Sequence, residues 1–143
     1  MPFRFLEDTA TADIAFEATG ETPEELFTSA AEALEETQVR TEGLELRTEK
    51  KVELGSDNLD DLLFDFLNEL IFHKDSEGLA FSKFNIKVET LSPTHHTLVA
   101  NIGGEKIDPK RHELRTDVKA VTKHLFGIKE TPKGFKATVV LDI

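Results

Sequence analysis

Polar and apolar residues alternate over 11–18, with Ile14, Phe16 and Ala18 on one face and Asp13, Ala15 and Glu17 on the other. That period marks a strand with one buried face, and Gly20 closes it. Thr22-Pro23-Glu24-Glu25 then reads as a helix start, with Thr22 as N-cap, Pro23 in the first turn and Glu25 closing a capping box. Leu26, Phe27, Ala30, Ala33 and Leu34 form the apolar side of this helix, which is predicted to end near Glu36. Alternation returns over 44–54, with Leu44, Leu46, Val52 and Leu54 opposite Glu45, Arg47, Glu49, Lys51 and Glu53. A second helix is predicted over about 58–73, capped by Ser56 or Asp57, because Leu59, Leu62, Leu63, Phe66, Leu67, Leu70 and Ile71 keep helical spacing. Asp57, Asp60 and Asp61 near its start and His73 and Lys74 near its end complement the helix dipole.

The remainder reads mainly as strand. Phe84, Ile86 and Val88 alternate with charged and polar neighbours, and Pro93 to His96 forms a turn. Leu98, Ala100 and Ile102 form the next strand, ended by Gly103-Gly104. Asp108-Pro109 starts a short helical turn, and period two resumes from Val118 through Ile128. Thr131-Pro132-Lys133-Gly134 is a hairpin turn, and the last strand sets Phe135, Ala137, Val139 and Leu141 against Lys136, Thr138, Val140 and Asp142. Helices separated by strand pairs predict an α+β fold, two main helices on mostly antiparallel sheet. Glu24-Glu25-Leu26-Phe27 and Asp60-Asp61-Leu62-Leu63-Phe64 each open a helix after a strand. This points to an internal duplication of a β-α-β-β unit.

Composition narrows the class. At 143 residues, with no linker-like stretch, 1–143 is expected to form one domain. The absence of cysteine excludes disulfides, thiolate metal sites and cysteine nucleophiles. No apolar run approaches the roughly 20 residues of a membrane helix, and the N-terminal residues lack a signal-peptide core. The expectation is a soluble cytoplasmic protein with no membrane partner. Lysine and arginine total 17 against 28 aspartates and glutamates, a formal net charge of −11. Such a surface disfavours direct RNA or DNA binding and suits a basic partner or a cation.

Two features could carry chemistry. Leu141-Asp142-Ile143 closes a strong strand pattern with no polar tail, so a side-chain carboxylate stands beside a terminal one. A hard divalent cation would relieve that repulsion, and Asp13 could supply a third carboxylate. The plainer reading puts both aspartates on solvated strand faces. The histidines His73, His95, His96, His112 and His124 have no metal-ligand spacing. His95-His96 is expected in solvent, and His124, on the apolar parity of its strand, in the core. Lys119 is an exposed lysine or a cation near the carboxylates. Gly103-Gly104-Glu105 matches no phosphate-binding loop.

Taken together, several segments resemble the archease family. They are Thr11-Ala12-Asp13-Ile14, Thr22 to Phe27 with Ala30-Ala31, Leu62 to Leu70, Phe81-Ser82-Lys83-Phe84, Gly104-Glu105, Val118 to His124 and Val140 to Ile143. The resemblance implies a small α+β protein that assists an RNA-splicing ligase of the RtcB type, promoting its guanylylation and turnover without catalysing ligation. It implies a metal site formed by Asp13, Asp142 and the C-terminal Ile143, holding a calcium-like hard cation, with manganese or magnesium as alternatives. It also makes Glu105 and Lys119 candidates for a functional face. tRNA would be met only through the ligase. The chain departs from the family at Ala10, where members often carry His, and at Lys123, where many carry an aromatic. The alternatives are a chaperone-like binding module for RNA-modifying enzymes and a stand-alone metal-dependent enzyme.

Overall fold

The alternating segments fold as strands. In the computed structural model, which describes residues 2–6 and 13–143, the order is β1 (Phe3–Leu6), β2 (Asp13–Gly20), α1 (Pro23–Gln38), β3 (Thr48–Ser56), α2 (Leu59–Glu77), β4 (Leu79–Ser92), β5 (His95–Lys106), β6 (Ala120–Thr131) and β7 (Gly134–Asp142). The readings at Ala10, Thr11 and Ala12 lie outside the described residues.

The strands form two sheets, ordered β1-β2-β7-β6 and β3-β5-β4, and every pairing is antiparallel. The duplication is visible in this topology. In β2-α1-β6-β7, a hairpin returns and its second strand pairs with the first strand, giving the order β2-β7-β6. β3-α2-β4-β5 repeats that layout as β3-β5-β4, and the whole unit is inserted between α1 and β6. α1 packs on β2, β7 and β4, and α2 on β3, β4, β5 and β6, so each helix touches both sheets. Their buried faces meet in one core with Phe16, Phe81, Leu98, Ile102, Val139 and Leu141.

Both helices start as their caps dictate. The Thr22 hydroxyl accepts the Glu25 amide at 3.2 Å, while the Glu25 carboxylate takes the Glu21 amide at 2.7 Å, one residue upstream of a standard box. The cap of α2 is Asn58, not Ser56 or Asp57: its side-chain oxygen accepts the Asp61 amide at 2.8 Å. Ser56 stays in β3, paired with His96. α2 also runs one turn past Lys74, to Gly78, whose φ of 69° gives the left-handed cap. The last carbonyls of α1 are met from outside the helix, Thr37 by the Thr116 amide and Gln38 by the Arg115 amide, both at 2.9 Å.

Two strand limits differ from the sequence reading. Residues 44–47 stay outside β3, where Leu44 is buried and Leu46 exposed. Gly103 and Gly104 continue β5 instead of ending it. A side chain at Gly104 would overlap the Ala80 carbonyl, so glycine admits the close pass of β4 at its bulge between Phe81 and Lys83. The 118–128 alternation breaks between Thr122 and Gly127, where Leu125 takes φ 56°. This bulge leaves His124 exposed rather than in the core. Conversely His96 is buried, its ring nitrogen 2.9 Å from the Thr90 hydroxyl.

Candidate functional site

β2 and β7 run antiparallel in a register that sets Asp13 directly opposite Asp142. Opposed residues share a face with their Cβ atoms about 5 Å apart. Ile14 and Leu141 occupy the next rung and point to the core, so the aspartates project from the other face. On its second side Asp142 pairs with Ala120 of β6, and its carbonyl accepts the Lys119 amide at 2.8 Å. Ile143 packs its side chain against the core and thereby holds its own main chain beside Asp142. Thus the fold brings Asp13, Asp142 and Ile143 together at one corner of the first sheet. The Asp142 carboxylate has no hydrogen bond or ion pair among the described residues. Also among the described residues, no group of three or more His, Cys, Asp or Glu side chains is assembled to hold a metal. The corner therefore sets two aspartates on one rung, with residue 143 beside them.

Lys119 is exposed next to this corner, joined to it through its amide. Glu105 lies elsewhere and inside. It is the penultimate residue of β5, the counterpart of β7 in the second sheet, and is 2 % exposed. Its carboxylate accepts the Glu45 amide at 2.6 Å and His112 Nε2 at 3.1 Å, and it pairs with the Arg111 guanidinium. The Asp108 amide donates to His112 Nδ1 at 2.8 Å, so the neutral ring carries its proton on Nε2 and donates it to Glu105. Arg111 first, against the cost of burial, with the Glu45 amide and His112 adding, holds the Glu105 carboxyl down to about 2. Glu105 therefore anchors the 107–112 loop and the 44–47 segment from within, and offers no exposed contact surface.

The two sheets thus end differently. At the first, Asp13 and Asp142 share a rung. At the second, Arg47 and Arg111 approach Glu105 and the charge is met within the chain. No residue spacing announces the Arg111–His112–Glu105 cluster, because only the loop return assembles it.

A further polar group sits in the core. Glu35 is fully buried on the apolar stripe of α1, and neither of its side-chain oxygens has a hydrogen-bond partner. Burial pushes its pKa up to about 8. The Phe81 amide, Lys74 and Gln38 act against this, but none reaches it with hydrogen-bond geometry. The signal was present in the helical spacing from Phe27 through Ala31 to Glu35, which puts a carboxylate on the buried side.

The archease protein family matches residues 3–143. The archease of Methanosarcina mazei is 38% identical over 141 residues, covering 99% of this chain and 95% of that protein. The archease of Methanothermobacter thermautotrophicus is 39% identical over 141 residues, covering 99% and 98%. The solution structure of a Methanobacterium thermoautotrophicum protein superposes with a TM-score of 0.84 at 38% identity, covering 99% of both chains. The crystal structure of a Thermotoga maritima archease, described as a possible chaperone, gives a TM-score of 0.63 at 28% identity, covering 94% of this chain and 93% of that one. The likeness spans the inserted repeat as well as the outer unit, and with it this chain belongs to the archease family.

Proposed function

We propose that the chain activates an RNA-splicing ligase of the RtcB type, promoting guanylylation and repeated turnover without catalysing ligation itself. The observation that carries this reading is the Asp13–Asp142 rung beside residue 143, at a half-buried sheet corner where the Asp142 carboxylate has no hydrogen bond or ion pair among the described residues. The donor set suits a hard divalent cation, since carboxylate oxygens are what calcium, magnesium and manganese prefer. Asp13, Asp142 and the terminal carboxylate of Ile143 would hold it. Such a cation would supply positive charge against the phosphate oxygens of the ligase's GTP.

The chain's own residues do the positioning. The Ile14–Leu141 rung sets the spacing of the two aspartates, and the Lys119 amide fixes the Asp142 carbonyl. Ile143 anchors the last residue by packing in the core. The partner is the ligase, and tRNA is reached only through it.

The test mixes the chain with the RNA ligase of its own organism and GTP, and measures covalent guanylate on the ligase. Substoichiometric stimulation is expected. Deleting Ile143 shifts the terminal carboxylate by about 3.3 Å, one strand residue, far beyond the roughly 0.2 Å tolerance of metal–ligand distances. That deletion and Asp13→Asn are each expected to abolish stimulation with the fold intact. Undiminished stimulation by a C-terminally tagged chain would overturn the terminal-carboxylate site. A second reading, a chaperone-like module, draws on the description of the Thermotoga maritima relative. It would be favoured if the chain suppresses aggregation of unrelated proteins and leaves guanylylation unchanged.

A further inference from the structure

A groove of about 790 Å³ opens at the far end of β2 and β7 from Asp13 and Asp142. Pro2, Phe84, Ile86 and Phe135 give it an apolar lining, and Glu21, Glu24 and Glu25 stand around it against the ammonium of Lys133 among the described residues.

One wall is a strand edge. Among the described residues β4 pairs only with β5, so its other side is the edge of the second sheet. The Val88 amide donates to the Glu24 carboxylate at 3.2 Å and therefore faces away from β5. The β4–β5 register is regular from Lys83 to Thr90. Strand alternation then turns the N–H and C=O groups of Phe84 and Ile86 outward as well. Among the described residues, nothing bonds to those groups on that side. Edge strands are normally capped, bulged or covered, because open edges recruit further strands. Here Glu24 covers Val88, while Phe84 and Ile86 open into the groove.

We propose that this edge binds an extended segment of a partner protein as an added strand, one in which apolar residues alternate with Lys or Arg. Main-chain hydrogen bonds to Phe84 and Ile86 would supply affinity, and alternate side chains selectivity. One side of the added strand would meet Phe84, Ile86 and Phe135. The carboxylates of Glu21, Glu24 and Glu25 stand around the same groove, and their excess over Lys133 among the described residues favours a basic segment. This surface lies apart from the carboxylate corner and does not depend on the ligase reading.

The test uses a fluorescent peptide of alternating valine and lysine, with anisotropy for binding and amide hydrogen exchange for placement. Binding is expected together with slowing of exchange at Phe84 and Ile86 by about tenfold or more, as new strand bonds form. A peptide with proline at alternate positions, or with glutamate for lysine, is expected not to bind. Glu21→Lys, at an exposed side chain, is expected to weaken binding by up to about fivefold, the range of one surface charge pair. The proposal is overturned by absence of binding up to about 1 mM. It is equally overturned by binding that leaves the Phe84 and Ile86 amides unprotected, or by equal binding of the proline peptide. Protection of those amides that rises with protein concentration alone would assign the edge to a second copy of the chain and overturn the proposal too.

Discussion

Two glutamates of the same chain are driven in opposite directions by their surroundings. Glu105 has a guanidinium, an amide and an imidazole N–H on its carboxylate and is held down to about 2. Glu35 has no hydrogen-bond partner in the core, and burial outweighs the Phe81 amide, Lys74 and Gln38 to push it up to about 8. The signs of the two contributions to stability follow from linkage. For Glu105 the folded state binds fewer protons than the unfolded one, so its contribution is full above about 4.5 and is lost as pH falls toward about 2. For Glu35 the folded state binds more protons, so its contribution is full below about 4.5 and is lost as pH rises through about 8. Thermal melts between pH 5 and pH 9 are expected to show this contribution falling from about pH 5 and levelling off above about pH 8. Glu35→Gln should flatten that fall and leave the variant more stable than the parent above about pH 8. An unchanged slope between about pH 5 and pH 8 in Glu35→Gln would show that another group titrates there.

At the scale of elements, α1 and α2 carry the packing that keeps the sheets together, since each touches both. Phe66 of α2 stacks on Phe27 of α1, with ring centroids 6.3 Å apart at 25°, and is fully buried. Phe66→Ala removes that contact and leaves a cavity among Leu62, Leu70 and Phe27. Denaturant melts should record a loss of about 3–5 kcal/mol; a loss below about 1 kcal/mol would put Phe66 outside the core. The caps act over the same distances. Asn58 rather than Ser56 or Asp57 starts α2, because β3 runs on to pair Ser56 with His96 and the chain turns only afterwards. A cap is chosen by where the preceding strand releases the chain, which local spacing does not report.

In the whole molecule, one β-α-β-β unit lies inside another and the two sheets end in unlike corners. The outer corner faces Asp13 with Asp142, and the inner corner closes Glu105 on Arg111. The exposed carboxylates and the net charge of −11 define what the surface can meet. A chain so charged has no counterion-release drive toward phosphate backbones. Filter binding of tRNA at physiological salt is expected to be weak without ligase, and tight binding of tRNA alone would overturn that expectation. No helix among the described residues is long and apolar enough to cross a membrane.

The period of the hydrophobic pattern determined both helices, the alternating faces and the outward placement of Asp142, because these depend on neighbours a few residues apart. Sequence was also enough to bring Asp13, Asp142 and Ile143 under suspicion as a group, through their resemblance to a family. Their meeting was decided by tertiary structure, since the β2–β7 register joins residues at opposite ends of the chain. Distance along the chain likewise hid the Glu105 anchor, which needs a loop to carry Arg111 and His112 back onto β5. The bulge that exposes His124 breaks the alternation from which its burial was read. Period two assigns a face only while the ladder stays in register, and a single left-handed residue at Leu125 resets it.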